Sequence, residues 1–413
     1  MATFSTALSG LSAASSGLDI TSNNIANANT VGFKDSQAEF ADVYASGAVN
    51  LNATTAGEGV RLVNSAQQFT QGNISTTSTS TPLDMAINGN GFFTMSGTNG
   101  VVYTRNGQFS EDSNGNVVSA TGQFLQVYPP LTNGGFNTGA LQNLNLQTSQ
   151  SAPVPTSTGA VILNLPSNAT AIPTATVFDP TNPATYTQST STTVYDSLGN
   201  SYPATFYFSQ TTTPGTWAVN MTVNGKSAGA AQNLAFSSTG ALTTPATGGL
   251  TFAGFSPTDG ATAPMSMTFN FGQSTQFGTA FGVTSITQNG YTTGQLSTVA
   301  IDSTGVVSAV YTNGRSTQLG QLAIANFPNP QGLQQLGNTN WAQTFASGTV
   351  VQGTAGSAGF GTVQSSALES SNVDLTTELV NMITEQRAFQ ANAQVITTAD
   401  QMSQTVIGIS TNG

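Results

Sequence analysis

Apolar residues recur every seven positions at both ends of this 413-residue chain and almost nowhere between. Phe4, Leu11, Leu18 and Ile25 form the first row, with Ala7, Ala14, Thr21 and Ala28 three residues behind each. Leu368, Leu375, Met382, Phe389 and Ile396 form the second. A seven-residue apolar beat is how one helix offers a seam to another. Two such seams predict that the termini meet, within one molecule or between neighbouring copies. Residues 1–30 make a poor helix in isolation, because Gly10 and Gly17 each cost about 1 kcal/mol relative to Ala and short helices are marginal in water. The front helix therefore needs a partner. Ala7, Gly10, Ala14 and Gly17 are small enough to let one come close, and the arms are expected to be disordered in a free monomer and helical once assembled. The stretch 27–32 reads as the helix stop.

The composition narrows the chemistry. Only 6% of residues are charged, net charge is −11, and the bases Lys34, Lys226, Arg61, Arg105, Arg315 and Arg387 are scattered. Without a basic stripe no nucleic acid is expected as a partner. The chain holds no Cys and no His, so zinc, haem, iron–sulfur and thiol chemistry lose their usual ligands, and no cofactor is expected. The first residues lack the basic start and apolar core of a cleaved secretory signal. No run reaches the roughly 18 apolar residues of a membrane span. A Thr/Ser/Asn/Gly-rich chain of this kind looks extracellular, so it either stays inside or leaves by a dedicated secretion machine.

Between the arms the pattern predicts an α+β fold of discontinuous, nested domains. Terminal α-helices (1–30 plus 370–413) form coiled-coil-like arms around mainly-β, antiparallel sandwich- or barrel-like outer domains. Residues 31–70 plus 360–369, with Gly47, Gly57 and Gly59 and little periodicity, read as an extended linker. A β-rich domain is expected at 71–145 plus 290–359, with hairpin signatures at Ile87–Phe93, Asn114-Gly115, Asp302–Gly305 and Asn313-Gly314, because Asn-Gly supplies the positive φ of tight turns. After a Ser/Pro-rich joint from Ser149 to Pro155, an inserted outer β domain covers 146–289, with a hairpin at 194–202 and alternation of Phe206, Phe208, Trp217, Val219, Met221 and Val223. Ser371 with Asp374 three residues on matches a capping box opening the closing helix, which runs to about Ile409.

Carboxylates are the plentiful titratable groups, but Glu111, Asp112, Asp179, Asp196, Asp259 and Asp302 sit in turn-like contexts where Asp caps its own backbone. A catalytic carboxylate pair in a cleft, as in a carbohydrate-active enzyme, is the less favoured reading. A secreted β-rich adhesin would give no reason for paired terminal heptads.

Residues 23–34, Asn-Asn-Ile-Ala-Asn-Ala-Asn-Thr-Val-Gly-Phe-Lys, resemble the N-terminal signature of bacterial flagellar rod and hook axial proteins. Residues 82–93 and 103–109 are similar to that family's next blocks, and 371–375 with 386–392 to its C-terminal signature. The blocks occur in the family's order across nearly the whole chain. Residues 194–200, 314–326 and the inserted module resemble the hook members rather than the shorter distal rod protein. Phe389 stands where many relatives carry Tyr.

The resemblance implies a structural, non-enzymatic subunit. It would polymerise with itself into the flexible curved tube that serves as a universal joint between motor and filament. It further implies export through the flagellar type III apparatus without a cleaved signal peptide, and an extracellular place in the hook. The implied neighbours are the distal rod, a hook-capping protein and a hook–filament junction protein, with no membrane insertion. The terminal helices would line the tube, so Phe4, Leu11, Leu18, Ile25, Leu375, Met382, Arg387, Phe389 and Ile396 are the expected assembly interface.

Overall fold

The computed structural model describes residues 2–43, 57–76, 81–98, 100–146, 150–173 and 175–411; Gly47 of the expected linker and Ser149 of the expected joint lie outside these. The chain divides into two compact units. One comprises Met1–Gln147, Thr298–Val310 and Ser316–Gly413, the other Thr148–Ser297 and Tyr311–Arg315.

In the first unit, helix α1 (Ala2–Ala26) packs antiparallel on helix α2 (Leu375–Thr411). The 37 residues of α2 span roughly 55 Å at 1.5 Å per residue. Its N-terminus is capped by Asp374, whose Oδ1 accepts from the backbone N–H of Thr376 (2.8 Å) and Thr377 (3.2 Å). The expected capping box does not form, since Ser371 Oγ accepts from the Val373 N–H, one residue short of the Asp374 N–H that the box requires. Leu368 also leaves the heptad row. It lies in the strand Ala367–Glu369, paired antiparallel with Ile74–Thr76, and the helical beat starts only at Leu375. Within the chain, α2 and a β-ribbon flank the front helix.

That ribbon replaces much of the expected linker. Ser36–Asp42 and Val60–Gln67 pair antiparallel, with a register shift between Glu39 and Phe40. Its sequence looked irregular because the strands are short of buried positions: Phe40, Leu62 and Val63 all face solvent. Polar clamps fasten it to α1 instead. Buried Asn24 donates to Ser36 O (2.8 Å) and accepts from Ser36 N (2.9 Å), while Ser9 Oγ accepts from Val60 N (3.2 Å).

Beyond the ribbon, the outgoing and returning chains pair again as Met85–Asn88 with Thr362–Ser365. A larger antiparallel sheet follows, in which Ser316–Asn326 joins Val306–Tyr311, Phe124–Tyr128, Phe92–Gly97 and Val351–Thr354. Phe92 and Phe93 are neighbours in one strand and so point to opposite faces. Phe93 packs with Met85, Ile87, Leu125, Val127 and Ile324 in one core, and Phe92 with Tyr103, Phe327 and Trp341 in another.

The second unit has an antiparallel run of Gln188–Tyr195, Ser201–Gln210, Thr216–Val223, Gln232–Phe236 and Leu242–Thr244. The alternation read from the sequence lands inward: Phe206, Phe208, Trp217, Val219, Met221 and Val223 are all buried. Phe206 stands opposite Met221 and edge-on to Phe269, with centroids 4.8 Å apart. The unit's other sheet departs from the all-antiparallel expectation. Thr158–Pro166 pairs parallel with Met265–Asn270 and Thr275–Phe277, and antiparallel with Gly282–Gln288. Parallel neighbours need long crossovers rather than hairpins, and here the chain from 167 to 264 supplies one.

The carboxylates act as turn caps. Asp112, Asp196 and Asp302 each precede Ser-x-Gly, and each Oδ1 accepts from the backbone N–H groups two and four residues on, at 2.8–2.9 Å. In the first loop only Gly115 (φ 77°) is left-handed; Asn114 is not. This is the longer hairpin loop closed by a glycine bulge, not the two-residue Asn-Gly turn expected. Asp259 is held differently: Tyr202 Oη donates to its Oδ2 at 2.6 Å and Asn200 Nδ2 at 2.7 Å.

The Tyr202 hydrogen bond brings the Asp259 carboxyl down to about 2, whereas the unfolded chain takes up that proton near the usual value of about 3.9. Between these values only the unfolded state binds the proton, so the second unit is expected to lose stability as pH falls from about 4 to about 2. Denaturation followed by Trp217 fluorescence in a Trp341→Phe background checks this. Asp259→Asn should flatten that acid slope.

Candidate assembly surfaces

Small residues on α1 let its neighbours come close. Ala7, Ala14, Thr21 and Asn24 are buried along α1. A Cβ added at Gly10 would lie 2.8 Å from Asn392 Oδ1, and one at Gly17 2.9 Å from the Glu385 carboxyl carbon. Of the residues expected at the seam, Leu11, Leu18 and Ile25 on α1 and Met382, Phe389 and Ile396 on α2 are half-buried. Phe4 and Leu375 are 47% and 46% exposed. Phe4 opens into a cleft with Met402, Val406 and Ile407 of α2. Arg387 is exposed and makes no ion pair among the described residues. The helix pair thus spends its small residues on itself and leaves large ones uncovered: Leu8 on α1, and Leu379, Val380, Ile383 and Val395 on α2.

Where the helices meet the β layers, one buried carboxylate holds two cations. Lys34 Nζ lies 2.6 Å from Glu369 Oε1, and Arg105 Nη1 lies 3.1 Å from Glu369 Oε2. All three side chains are almost wholly buried. Lys34 also donates to Thr70 O (2.6 Å), Gly72 N to Glu369 Oε1 (3.0 Å), and Arg105 to the carbonyls of Ile87 (3.1 Å) and Gly89 (2.7 Å). The guanidinium carbon stands 5.5 Å from the Phe92 ring centroid.

Burial pulls the Lys34 ammonium and the Arg105 guanidinium below their ordinary ranges, and Glu369 opposes that in both. Beside them Asn372 clamps Asp35, donating to its carboxylate and accepting its backbone N–H, both at 2.8 Å. Gly32 makes the approach possible. Its φ is +69°, and a Cβ there would sit 2.6 Å from the Asn106 backbone nitrogen.

Relatives of this chain carry the same name. It is 39% identical to the flagellar hook protein FlgE of Escherichia coli K12, over 98% of this chain and 99% of that one. To the same-named protein of Rhizobium meliloti it is 34% identical, over 98% of each.

This chain belongs to the flagellar hook protein family.

A hook relative from Borreliella burgdorferi is 30% identical over 97% of each chain. Residues 4–34 match the family described as flagella basal body rod protein, and 86–177 the flagellar hook protein FlgE/F/G D1 domain. Residues 164–291 match the flagellar basal body protein FlaE D2 domain, and 364–409 the flagellar basal body rod FlgEFG protein C-terminal family. The fold resembles the crystal structure of Helicobacter pylori flagellar hook protein FlgE2, with TM-score 0.52 at 13% identity, covering 72% of this chain and all of that one.

Sequence reasoning in this hook-family chain missed Glu369 and its two cations as a unit. The available signal was scarcity: two of the six bases, Lys34 and Arg105, lie in or beside blocks otherwise almost free of charge. Glu369→Gln keeps the shape and leaves two buried cations without a counter-charge, a change that costs about 3–5 kcal/mol when a buried pair is broken. Denaturation monitored by Trp341 fluorescence in a Trp217→Phe background should show that loss, while Trp217 in the converse background reports no change.

Proposed function

We propose that the chain polymerises into the flexible, curved tube of the flagellar hook and passes motor torque to the filament as a universal joint. The observation that carries this is the uncovered apolar surface of the helix pair. Leu375, Leu379, Val380 and Ile383 in the first half of α2, and Val395, Met402, Val406 and Ile407 in the second, are 46–66% exposed. A lone soluble subunit gains nothing from that surface, and a stack of copies buries it.

The expected interface residues fit the same scheme in two classes. Phe4, Leu375 and Arg387 are free to meet a neighbour. Leu11, Leu18, Ile25, Met382, Phe389 and Ile396 serve both the helix pair and, on their open sides, the next copy. The outer β modules, neutral and rich in Thr, Ser and Asn, have few ion pairs to fix one register. That suits contacts that must slide as each protofilament lengthens and shortens in every turn. Family membership supports export through the flagellar type III apparatus, and the rod, capping and junction proteins as neighbours at either end. Deleting the gene tests the whole reading: motor bases should persist without hooks or filaments, and hooks that survive the deletion would refute it.

Leu379→Asp is expected to abolish tubes while leaving monomer melting unchanged, because the side chain is already in water in the monomer. A carboxylate buried without a partner at each subunit contact costs several kcal/mol. Electron microscopy of hooks beside a melting curve reads both halves.

Arg387 is expected to pair with a carboxylate of the next copy. Asp35, Glu378 and Glu385 line a cleft between α1, the ribbon and α2 that carries no base. A guanidinium fork suits a carboxylate there. Arg387→Gln should yield fragile hooks that shorten in high salt; unchanged motility and tube stability would rule the pair out.

A further inference from the structure

Phe345 stands wholly in solvent on a turn that is tied down on every side. Ser347, fully buried, donates through Oγ to Thr344 O (2.9 Å) and accepts from Thr344 N (3.0 Å), while its own N–H donates to Thr344 Oγ1 (3.1 Å). Asn329 donates from its backbone to Ser347 O (3.2 Å) and from its side chain to Ala346 O (3.0 Å). The fold of the unit gains nothing from a hydrated aromatic ring. A ring held rigidly in water is, however, the form that binding anchors take, since little entropy remains to be lost on docking.

The same unit carries a groove suited to such a ring. Gln334–Gly337 and Asn340–Ala342 form a hairpin. Phe345 lies three residues beyond the second strand, and the groove runs along the hairpin from Ala342 to the turn at 338–339. About 430 Å³ is enclosed by Gly97, Val101, Gly122, Leu336, Asn340 and Ala342, with Val101 and Leu336 45% and 50% exposed. Its wall is shaped at a conformational cost. Asn338 and Thr339 are both left-handed (φ 52° and 55°), which is unusual for a β-branched residue. Thr104 Oγ1 donating to Thr339 O at 2.7 Å, and Asn340 Nδ2 donating to Gln123 Oε1 at 3.1 Å, hold the turn in place.

We infer that Phe345 of one copy seats in this groove of the next. Neither the turn at 343–348 nor the groove lining contains a charged side chain, so copies of net charge −11 can meet there without burying like charge. Knob and hole are different patches of the same chain. The contact is therefore heterologous, and heterologous contacts that do not close into a ring build helical arrays. One ring buries about 150–250 Å², against roughly 1,200–2,000 Å² for a stable interface. Phe345 is thus an anchor within the polymer and does not make a dimer in solution.

The inference rests on the hook reading, and hooks purified from cells separate the two. The chain has no Cys, so Ala346→Cys beside the knob and Thr121→Cys on the groove rim can be introduced without background and with Phe345 intact. On oxidation the double variant should give a ladder of dimers, trimers and longer chains, and each single variant should give none. Phe345→Ala should melt as the parent does yet need about tenfold more subunit, or greater, to sustain tubes. Hooks that contain the double variant but show no ladder, or Phe345→Ala assembling at the parental concentration, would overturn the contact alone. Absence of the chain from purified hooks would instead sink the hook reading.

Discussion

The carboxylate of Glu369 joins segments that the sequence keeps far apart. Its partners lie just after α1 (Lys34), on the outgoing chain (Gly72) and on the β layers (Arg105), while Glu369 itself begins the return to α2. Removing three charged groups from water is expensive, and a hydrophobic cluster of equal volume would often be as stable. What the ionic cluster adds is register. A carboxylate with two oxygens facing two differently shaped cations accepts few alternative alignments of the outgoing and returning strands. The Asn372–Asp35 clamp and the Gly32 N–H to Glu369 O bond (2.8 Å) repeat the same alignment in neutral form.

This fixed junction determines how the helices leave the β layers, and their packing has the opposite character. Small side chains and backbone fill the α1–α2 contact, Gly10 facing Asn392 and Gly17 facing Glu385. Leu11, Leu18, Met382 and Phe389 are only half-buried beside it, so the pair gains modestly from burial. Leu8, Leu379, Val380 and Ile383 remain exposed. In the polymer proposed above this division would matter mechanically: the contact within the chain would stay weak enough to adjust, and most of the hydrophobic gain would appear only when copies stack.

The β units draw their stability from ordinary cores. The second unit is centred on Phe206, Phe208, Trp217 and Phe269, all buried, and its turn at 196–200 is closed by backbone-capping Asp196. A β surface with hydroxyls and amides in place of charges offers many nearly equal hydrogen-bonding registers to a neighbour. In the tube proposed above, that degeneracy would keep sliding cheap, and the proposed Phe345 anchor would hold copies together.

The sequence by itself determined the elements whose signal is local. The terminal helices followed from the seven-residue beat, the inward row from Phe206 to Val223 from its alternation, and the capping role of Asp112, Asp196 and Asp302 from their turn-like contexts. Tertiary structure alone decided what depends on distant partners. Leu368 keeps the heptad spacing yet lies in a strand, because pairing with Ser75 outweighs its place in the beat. The ribbon strands at 36–42 and 60–67 show no periodicity, because polar clamps to Asn24 and Ser9 hold them rather than a buried face. Glu369 meets Lys34 across 335 residues of sequence, a distance at which no spacing rule operates. Only the closing of the chain on itself removes both from water and makes each necessary to the other.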